Sequence, residues 1–382
     1  MIILDKPYVS DELKEYLRKS RIPVLKNTYA AAGLSEEKLN LTGETEFKKF
    51  LISNPRLLTV SENSLGWVYK NCCDKDKINN IELMKDKYRL RETMKELYPD
   101  FFFKEVSVSE LGSLDFSSLK LPVVLKPSVG FFSEGVYTVF DGNDWKNALA
   151  DISKKTQKWA KDYPEDVVGK GRFIIEEYIK GEEYAIDAYY GDDGKAVVLN
   201  IFKHDFGSAS DVSDRLYHTS KNIVTGKLKD FTEFLDASNA FFKAKNFPVH
   251  VELRIAGGRI IPVEFNPLRF AGWCTTDLAY FAYGFKTYDY FFSGKKPDWD
   301  ALLAGKDGKI YTLILLNKPK NISGAVKFDY EALQKKFKKV LKLRKTENSA
   351  SPIFGFLFTE TQEKDRTELD YIVKTDLTEF IS

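Results

Sequence analysis

The sequence predicts a mixed fold, with α+β and α/β character, divided into three parts. Residues 1–78 open with a short apolar strand, Ile2–Leu4, followed by an amphipathic helix pattern after Ser10, a residue suited to an N-cap. Residues 79–295 consist mostly of alternating strand patterns separated by glycine turns, with two or three helices among them. Residues 296–382 carry further helix patterns. Strands and helices mixed along the chain in this way indicate layered sheets covered by helices.

Composition excludes several classes of protein. The chain has 382 residues, 43% hydrophobic and 30% charged, which is enough to bury a large core. Its 58 basic and 56 acidic residues leave a formal charge of +2, so no overall field favours nucleic acid or an anionic membrane. The three cysteines lack the spacing of a disulfide framework or a metal site. No signal peptide or membrane-spanning run is present, so a cytoplasmic location is expected.

A helix pattern opens the middle part. In the segment IELMKDKYRLRETMKELYPD, residues 81–100, the apolar residues Leu83, Leu90 and Met94 recur at helical spacing, and Lys87 lies on the same stripe. The Lys87 ammonium would either extend outward to solvent, as the long stems of lysines commonly allow, or point at an anion. The pattern alone favours solvent.

The segment FPVHVELRIAGGRIIPVEFNP, residues 247–267, predicts a hairpin with a polar face. Glu252 lies on one strand, and Glu264 and Asn266 lie on the other, opposite the apolar side. A three-residue loop over 257–259 gives the pairing in which the two glutamates face each other directly. Their Cβ atoms would then be about 4.5–5.5 Å apart, a position in which like charges are destabilising.

This crowding of carboxylates has two interpretations. An exposed sheet face tolerates such residues, because each remains solvated. Alternatively, two carboxylates and an amide oxygen form an all-oxygen set that suits Mg²⁺ held together with a substrate's phosphates. Pro267 would end the second strand beside Asn266, at an edge that a ligand could reach. The hairpin alone favours neither interpretation.

A second segment, LPVVLKPSVGFFSEGVYTV, joins two strands through a loop rich in glycine and serine, with Lys126 at the end of the first strand. Backbone amides in such loops can hold phosphate. A strand, rather than Lys-Ser/Thr and a helix, follows the last glycine, which argues against a Walker A loop. Alone, the segment is typical of a long hairpin turn, although Phe131 and Phe132 at its tip favour a loop that closes over a ligand. The candidate loop residues are Ser128, Gly130, Ser133 and Gly135.

In a third segment, RFIIEEYIKGEEYAIDAYY, an apolar strand runs into Glu176 and Glu177, and a connector through Ile179 leads to the next strand. The backbone groups of such a connector can bond an adenine edge, and the Glu183 carboxylate can accept hydrogen bonds from ribose hydroxyls. By itself, an acidic cluster of this kind is more often a solvated turn.

The C-terminal part contains two helix patterns, at residues 329–345 and 367–381. The first is rich in lysine, but Tyr330, Leu333 and Phe337 supply an ordinary apolar stripe. A solvated helix face is therefore favoured over a surface for nucleic acid or membrane.

In their order and spacing, the three segments resemble the ATP-grasp superfamily over about residues 81–272. The resemblance implies a fold in which two α+β subdomains clamp ATP. It implies a small N-terminal α/β domain over 1–78, the ATP-grasp domain over 79–295 and a C-terminal α+β extension over 296–382. ATP and Mg²⁺ are the implied cofactors, with Mn²⁺ as an alternative metal.

The resemblance also implies roles for residues that would bind the nucleotide. Lys87 and Lys126 look like the two lysines that contact phosphates. The residues 128–135 look like the flexible loop over the β- and γ-phosphates. The residues implied on the adenine and ribose side are Glu176, Glu177, Ile179 and Glu183.

At the metal, the resemblance implies Glu252, Glu264 and Asn266 as ligands. Many family members read Asn-Pro-Arg at this point, and the arginine holds the acyl phosphate or the substrate carboxylate. In this chain Leu268 is inserted before Arg269, and Arg269 is still assigned that role.

The implied activity is the ATP-dependent joining of a carboxylate to an amine through an acylphosphate, with release of ADP and phosphate. Lys126 and Arg269 would be the catalytic residues, because phosphoryl transfer mainly needs positioning and neutralisation of charge. The alternatives are a small-molecule kinase on the same fold and a non-catalytic ATP-binding regulatory protein. The expected partners are small-molecule carboxylates and amines, not nucleic acid or membrane, and a homodimer stays open.

Overall fold

The computed structural model describes residues 1–34, 37–129, 135–162, 171–207, 215–319, 322, 326–346 and 351–382, the side chains of 156–162 excepted. Three sheets organise these residues, two of four strands and one of eight. Among the described helices, none combines the length and apolar character that crossing a membrane requires.

The N-terminal sheet is parallel and has the strand order β3-β2-β1-β4. Helices connect its strands, as parallel pairing requires. Ser10 caps the first helix by accepting a hydrogen bond from the Leu13 backbone N–H at 3.2 Å, as the sequence predicts. The elements are β1 (Ile2–Ile3), α1 (Asp11–Ser20), β2 (Val24–Leu25), α2 (Thr28–Gly33), β3 (Leu41–Thr42), α3 (Glu44–Ser53), β4 (Leu58–Thr59) and α4 (Leu65–Asn71).

Two helices follow where a single helix pattern runs through residues 81–100. The helix α5 (Lys75–Lys85) ends at Asp86, and α6 (Lys87–Met94) begins directly after it. Asp86 separates them, because its carboxylate accepts hydrogen bonds from the backbone N–H groups of the first turn of α6, including Tyr88 at 3.1 Å.

The second four-stranded sheet is antiparallel and has the order β5-β8-β6-β7. The long helix α7 covers one of its faces with Trp145, Ala148 and Ile152. The elements are β5 (Phe103–Ser107), β6 (Val123–Pro127), β7 (Tyr137–Val139), α7 (Gly142–Asp162) and β8 (Arg172–Glu177).

The eight-stranded sheet is antiparallel and has the order β13-β12-β9-β10-β11-β14-β16-β15. Its last three strands in this order come from the chain after residue 296, so they extend the sheet of the middle part. The elements are β9 (Glu182–Tyr190), β10 (Ala196–Asp205), β11 (Leu216–Ser220), α8 (Lys221–Phe242), β12 (Phe247–Ala256), β13 (Arg259–Pro267), β14 (Lys309–Asn317), β15 (Val340–Lys345) and β16 (Ile353–Gln362).

The two faces of this sheet carry separate cores. On one face, Ala185, Phe202 and Leu313 pack in a cluster with residues of the N-terminal sheet and of the helices after β13. On the other face, Ile186 and Ile201 pack with residues of α8. The remaining helices are α9 (Leu278–Tyr283), α10 (Thr287–Ser293), α11 (Trp299–Leu303), α12 (Tyr330–Gln334) and α13 (Thr367–Lys374).

The predicted helix over residues 329–345 is wrong over most of its length. Only Tyr330–Gln334 is α-helical, and Val340–Lys345 forms the edge strand β15. Pairing with β16 explains the difference, because an edge supplies hydrogen-bond partners that local helical periodicity does not reveal. Lysines on this strand are typical of a protected sheet edge. The second pattern forms α13 and a short 3₁₀ turn, Thr378–Phe380.

Candidate functional site

The β12–β13 hairpin places Glu252 directly opposite Glu264, as the sequence predicts. The predicted three-residue loop is wrong, because Ala256 pairs with Arg259 and leaves only Gly257 and Gly258 in the turn. Both glycines have positive φ, 57° and 80°, which suits a two-residue hairpin turn.

A β-bulge restores the predicted pairing. Leu253 pairs with Pro262 and Glu252 pairs with Glu264, so Val263 is an extra residue in β13. With a two-residue turn and no bulge, Glu252 would face Val263, and Glu264 would point to the opposite side of the sheet. The bulge therefore brings the two carboxylates to one face.

Asn266 adds an amide to this set. We call the set the carboxylate trio, after its two glutamates: Glu252, Glu264 and Asn266. The Asn266 amide donates to the Glu252 carboxylate at 3.4 Å, while Lys87 Nζ lies 3.0 Å from the Glu264 carboxylate. The side chains of Glu264 and Glu252 are 18% and 30% exposed, so both reach the surface of a cavity. The polar face of the hairpin is thus largely buried instead of fully solvated.

Lysines hold Glu264 ionised. Burial alone would raise the pKa of this carboxyl, but Lys87 and Lys85 lower it to about 2. The outward orientation that the helix pattern favours for Lys87 is wrong, because its side chain is buried and its ammonium points at Glu264. Lys85 Nζ lies 4.0 Å from Glu264 and 2.7 Å from the Glu62 carboxylate. Sequence reasoning missed both Lys85 and Glu62.

Lys126 belongs to a different ionic group. Its ammonium lies 2.6 Å from the Glu176 carboxylate, which Arg91 also contacts at 2.8 Å. Burial would raise the pKa of Glu176, but Arg91 and Lys126 lower it to about 2. Burial lowers the pKa of the Lys126 ammonium, and Glu176 opposes that shift. The Glu176 side chain therefore contacts cations next to the predicted phosphate site.

The connector after β8 has its backbone groups partly engaged. The Glu177 N–H donates to the Phe102 carbonyl at 3.0 Å, and the Ile179 carbonyl accepts from Arg254 Nη1 at 2.9 Å. The predicted ribose carboxylate, Glu183, contacts Arg254 Nε at 2.8 Å and His204 Nδ1 at 2.9 Å. Burial would raise the pKa of Glu183, but these two partners lower it.

The glycine-rich loop is described at its two ends only. Ser128 is buried, its backbone carbonyl accepts from the Lys87 N–H at 2.8 Å, and its hydroxyl has no hydrogen-bond partner among the described residues. Gly135 has φ of 79° and lies against Pro127, so a side chain there would be strained and crowded. The candidates Gly130 and Ser133, with the two phenylalanines, lie outside the described residues.

Arg269 faces the same cavity as the carboxylate trio. The inserted Leu268 is buried and has a left-handed backbone, φ 58°, which is uncommon for a residue with a side chain. After this kink, Arg269 Nη2 lies 3.4 Å from the Glu62 carboxylate, and Nη1 donates to the Phe270 carbonyl at 3.0 Å.

The cavity has a volume of about 170 Å³. It lies between the eight-stranded sheet, residues 60–63 and residues 269–275. The structure thus brings together the carboxylate trio and Arg269, while Lys126, Glu176 and Glu183 are not part of the cavity wall. The lining residues are Pro7, Val60, Ser61, Glu62, Asn63, Phe202, Tyr217, His250, Glu252, Glu264, Asn266, Arg269, Ala271, Gly272, Trp273, Thr275 and Leu315.

The carboxylate trio fits a Mg²⁺ site completed by a substrate. The described residues contain no group of three or more His, Cys, Asp or Glu side chains that could hold a metal ion by themselves. Mg²⁺, however, is commonly held by one or two carboxylates together with substrate phosphates and water. Two carboxylates on one face of a hairpin supply the protein's share of such a set.

Comparison with known proteins decides the family of this region. Residues 119–277, which contain the loop, the connector and the trio, match the family profile described as the ATP-grasp domain. The chain contains an ATP-grasp domain. No curated protein matches the sequence.

Solved structures extend the ATP-grasp likeness to the whole chain. An L-amino acid ligase from Bacillus licheniformis superposes with a TM-score of 0.71 at 15% identity, covering 100% of this chain and 97% of that chain. N5-carboxyaminoimidazole ribonucleotide synthetase from Thermotoga maritima gives 0.64 at 14% identity, covering 100% and 98%. Biotin carboxylase from Campylobacter jejuni gives 0.60 at 11% identity, covering 94% and 87%. At these identities the likeness shows the fold, and the predicted ATP-grasp architecture is confirmed.

Proposed function

We propose that this ATP-grasp protein is an ATP-dependent ligase that joins a carboxylate to an amine through an acylphosphate, releasing ADP and phosphate. The observation that carries the proposal is the direct pairing of Glu252 with Glu264 beside a cavity that also contains Arg269. This arrangement puts proposed metal ligands and a guanidinium around one space large enough for a small acid. The similarity to solved ligases supports the same reaction type.

Glu252, Glu264 and Asn266 would hold Mg²⁺ together with the phosphates of ATP. When bound, the metal supplies positive charge that offsets the charge developing on the transferred phosphoryl group. The Glu264 carboxyl is ready for this role across the neutral pH range, because its lysine neighbours keep its pKa at about 2.

The cations near the trio would position the phosphates. The Lys87 ammonium is at the end of a flexible side chain and lies 3.0 Å from Glu264, so a short movement would bring it to a phosphate that binds there. Lys126 lies on β6, the strand that leads into the glycine-rich loop, and Ser128 and Gly135 are the two ends of that loop. We assign Lys126 and the loop, including Gly130 and Ser133, to the β- and γ-phosphates.

The nucleoside would lie along the connector after β8. We assign the backbone of Glu177 and Ile179 to adenine and the Glu183 carboxylate to ribose. The role of Glu176 in this proposal is to hold Lys126, with which it forms a buried ion pair. Arg254 links the two proposed nucleoside contacts, because it donates hydrogen bonds to both the Ile179 carbonyl and the Glu183 carboxylate.

Arg269 would hold the carboxylate substrate or the acyl phosphate formed from it. A guanidinium suits both groups, because it donates two parallel hydrogen bonds to planar or tetrahedral oxyanions. The segment 60–63 closes the cavity from the N-terminal side, which would help to keep water from a hydrolysable acyl phosphate. The division into domains over 1–78, 79–295 and 296–382 remains part of this proposal.

The test is ADP release in the presence of Mg-ATP, candidate carboxylates and hydroxylamine as a general amine. A ligase gives ADP release that requires the acid, together with a hydroxamate product. A stable phosphorylated product without hydroxamate would instead indicate a kinase. ATP binding without turnover on any acid or hydroxyl compound would indicate a regulatory protein.

A further inference from the structure

The cavity beside the carboxylate trio has a polar end and an apolar end. Glu252 lies on β12, whereas Phe202, Tyr217 and Leu315 lie on β10, β11 and β14 of the same sheet. Neighbouring strands are about 4.8 Å apart, so Phe202 lies roughly 10 Å and Leu315 roughly 19 Å across the sheet from Glu252. The cavity therefore runs across the strands, away from the proposed metal ligands and toward an apolar wall.

The aromatic walls of the apolar end are held in place by other rings. The Tyr217 ring stacks on His204 with 4.2 Å between centroids and an interplanar angle of 19°, and it meets Phe202 edge-on at 6.4 Å. Trp273, which also lines the cavity, packs with its ring centroid 5.9 Å from that of Phe356. Rings fixed in this way form a preorganised surface for another flat apolar group.

The backbone at Trp273 adopts a costly conformation. Trp273 and Cys274 have φ of 55° and 56°, in the left-handed region that bulky residues rarely adopt. Backbone strain of this kind persists where the surrounding structure enforces it, and it clusters at ligand-binding sites. Here it places the Trp273 side chain on the cavity wall.

The acidic residues of the lining are already engaged. Among the described lining residues the carboxylates are Glu62, Glu252 and Glu264. Glu62 contacts Lys85 at 2.7 Å and Arg269 at 3.4 Å, and the other two are the proposed metal ligands. Among the lining residues that the structure describes, the apolar end thus presents rings and Leu315 but no carboxylate, and these residues offer no ion pair to the ammonium group of an amino acid.

We propose that the carboxylate substrate is a monocarboxylic acid with a flat apolar body, of the aryl or arylalkyl class. This inference rests on the proposed ligase function. The acid's carboxylate would lie at Arg269 and the trio, and its ring would lie between Tyr217 and Trp273. A carboxylate oxygen forms a bond to the γ-phosphorus as the bond to ADP breaks. The neutral amine nitrogen then bonds to the acyl carbon, phosphate leaves with the electron pair of the C–O bond, and the nitrogen releases one proton to solvent.

Binding of acids tests the inference separately from turnover. The probes are 3-phenylpropanoate, phenylalanine and succinate, titrated calorimetrically into the full-length protein with Mg²⁺ and a non-hydrolysable ATP analogue. We expect 3-phenylpropanoate to bind at least tenfold more tightly than the other two acids. Equal binding, or tighter binding of succinate or phenylalanine, would overturn the inference. Failure of hydroxamate formation with a tightly bound aromatic acid would contradict the ligase proposal and leave the assigned cavity specificity standing.

Variants locate the ring-binding surface. Tyr217→Ala should weaken 3-phenylpropanoate binding at least fivefold and leave ATP-analogue binding unchanged, whereas Tyr217→Phe, which keeps the ring, should bind within twofold of wild type. Tyr280→Ala is the matched control, because Tyr280 is an exposed aromatic residue outside the cavity. Thermal unfolding followed by circular dichroism checks that each variant is folded, and Trp273→Ala tests the second aromatic residue of the lining in the same way. Unchanged affinity in both folded alanine variants would refute the placement of the ring.

Discussion

Two ionic groups of this protein each place one carboxylate between two cations, but they differ in access to solvent. In what we call the closed group, the Glu176 carboxylate lies between Lys126 and Arg91, and all three side chains are 3–5% exposed. In the open group, Glu264 lies between Lys87 and Lys85 at the edge of the cavity. The three side chains of this group are 8–18% exposed. Each carboxyl has its pKa lowered to about 2 by its cations, against the effect of burial.

Because the two groups differ in access to solvent, the loss of a cation should have different effects on stability and on ligand binding in each. A fully buried ion pair whose partner is removed leaves an uncompensated charge in a medium of low polarity. A group at a cavity edge can exchange one cation for another, because water and ligands reach it. We therefore expect changes in the closed group to reduce stability most, and changes in the open group to reduce catalysis with little loss of stability.

The largest effect is expected for Lys126→Ala in the closed group. Loss of the ammonium leaves Glu176 with Arg91 alone, and the free energy of unfolding should fall by about 3–5 kcal/mol, with turnover lost as well. Urea unfolding and ADP release measure the two effects. Adding Glu176→Gln should restore part of the stability without restoring turnover. Wild-type turnover in the single variant would remove Lys126 from the site.

Glu264→Gln tests the open group. Because the variant keeps the shape of the side chain but loses a proposed metal ligand, turnover should fall roughly 10²- to 10³-fold, as for the loss of other groups that stabilise developing charge. The Mg²⁺ concentration needed for half-maximal nucleotide binding should rise. Glu182→Gln is the control, since Glu182 is an exposed carboxylate on the same sheet. An unchanged dependence on Mg²⁺ would refute the metal assignment.

The dependence of stability on acid pH gives a further test of the closed group. The Glu176 carboxyl has a pKa of about 2 in the fold against an ordinary value of 4.5, so its contribution to stability is complete above pH 4.5 and lost as pH falls toward 2. The loss is of the order of 3 kcal/mol. Urea unfolding between pH 6 and about pH 2 should show a shallower acid decline in Glu176→Gln than in the wild type. An identical decline in both proteins would contradict the ionised, paired state of this carboxyl.

The smallest effect is expected for Glu62→Gln, at the boundary of the open group. Glu62 contacts both Lys85 and Arg269, so the variant should raise the KM for the carboxylate about threefold to tenfold with little change in kcat, as expected for one charged hydrogen bond. Glu37→Gln is a matched control, because Glu37 also joins two cations but is not among the residues that line the cavity. Equal KM changes in the two variants would exclude a specific role for Glu62.

Local patterns in the sequence predicted the parts of the site that depend on strand alternation. The facing of Glu252 and Glu264 follows from period-2 alternation, and the structure contains that pairing. The turn was predicted with the wrong length, because the extra residue of a bulge and the extra residue of a loop have the same effect on parity. The pattern of residues in a hairpin cannot separate the two.

Contacts between distant parts of the chain were not predictable. Arg91 and Glu176 are 85 positions apart, and nothing in either local pattern indicates their ion pair. Lys87 illustrates the same limit, since helical spacing placed it on an apolar stripe but could not show what faces that stripe. The edge strand β15 was missed for the related reason that its partner, β16, lies further along the chain.

The single extra residue at Val263 has an evolutionary consequence. A one-codon deletion there would leave Leu253 paired with Pro262 and Glu252 paired with Glu264 as successive pairs of a regular ladder, so the two carboxylates would still face each other. Lineages could thus lose or gain this residue through an in-frame indel while the three residues of the trio stay on one face of the hairpin. A one-residue gap at this point in distant relatives is therefore compatible with the same pairing.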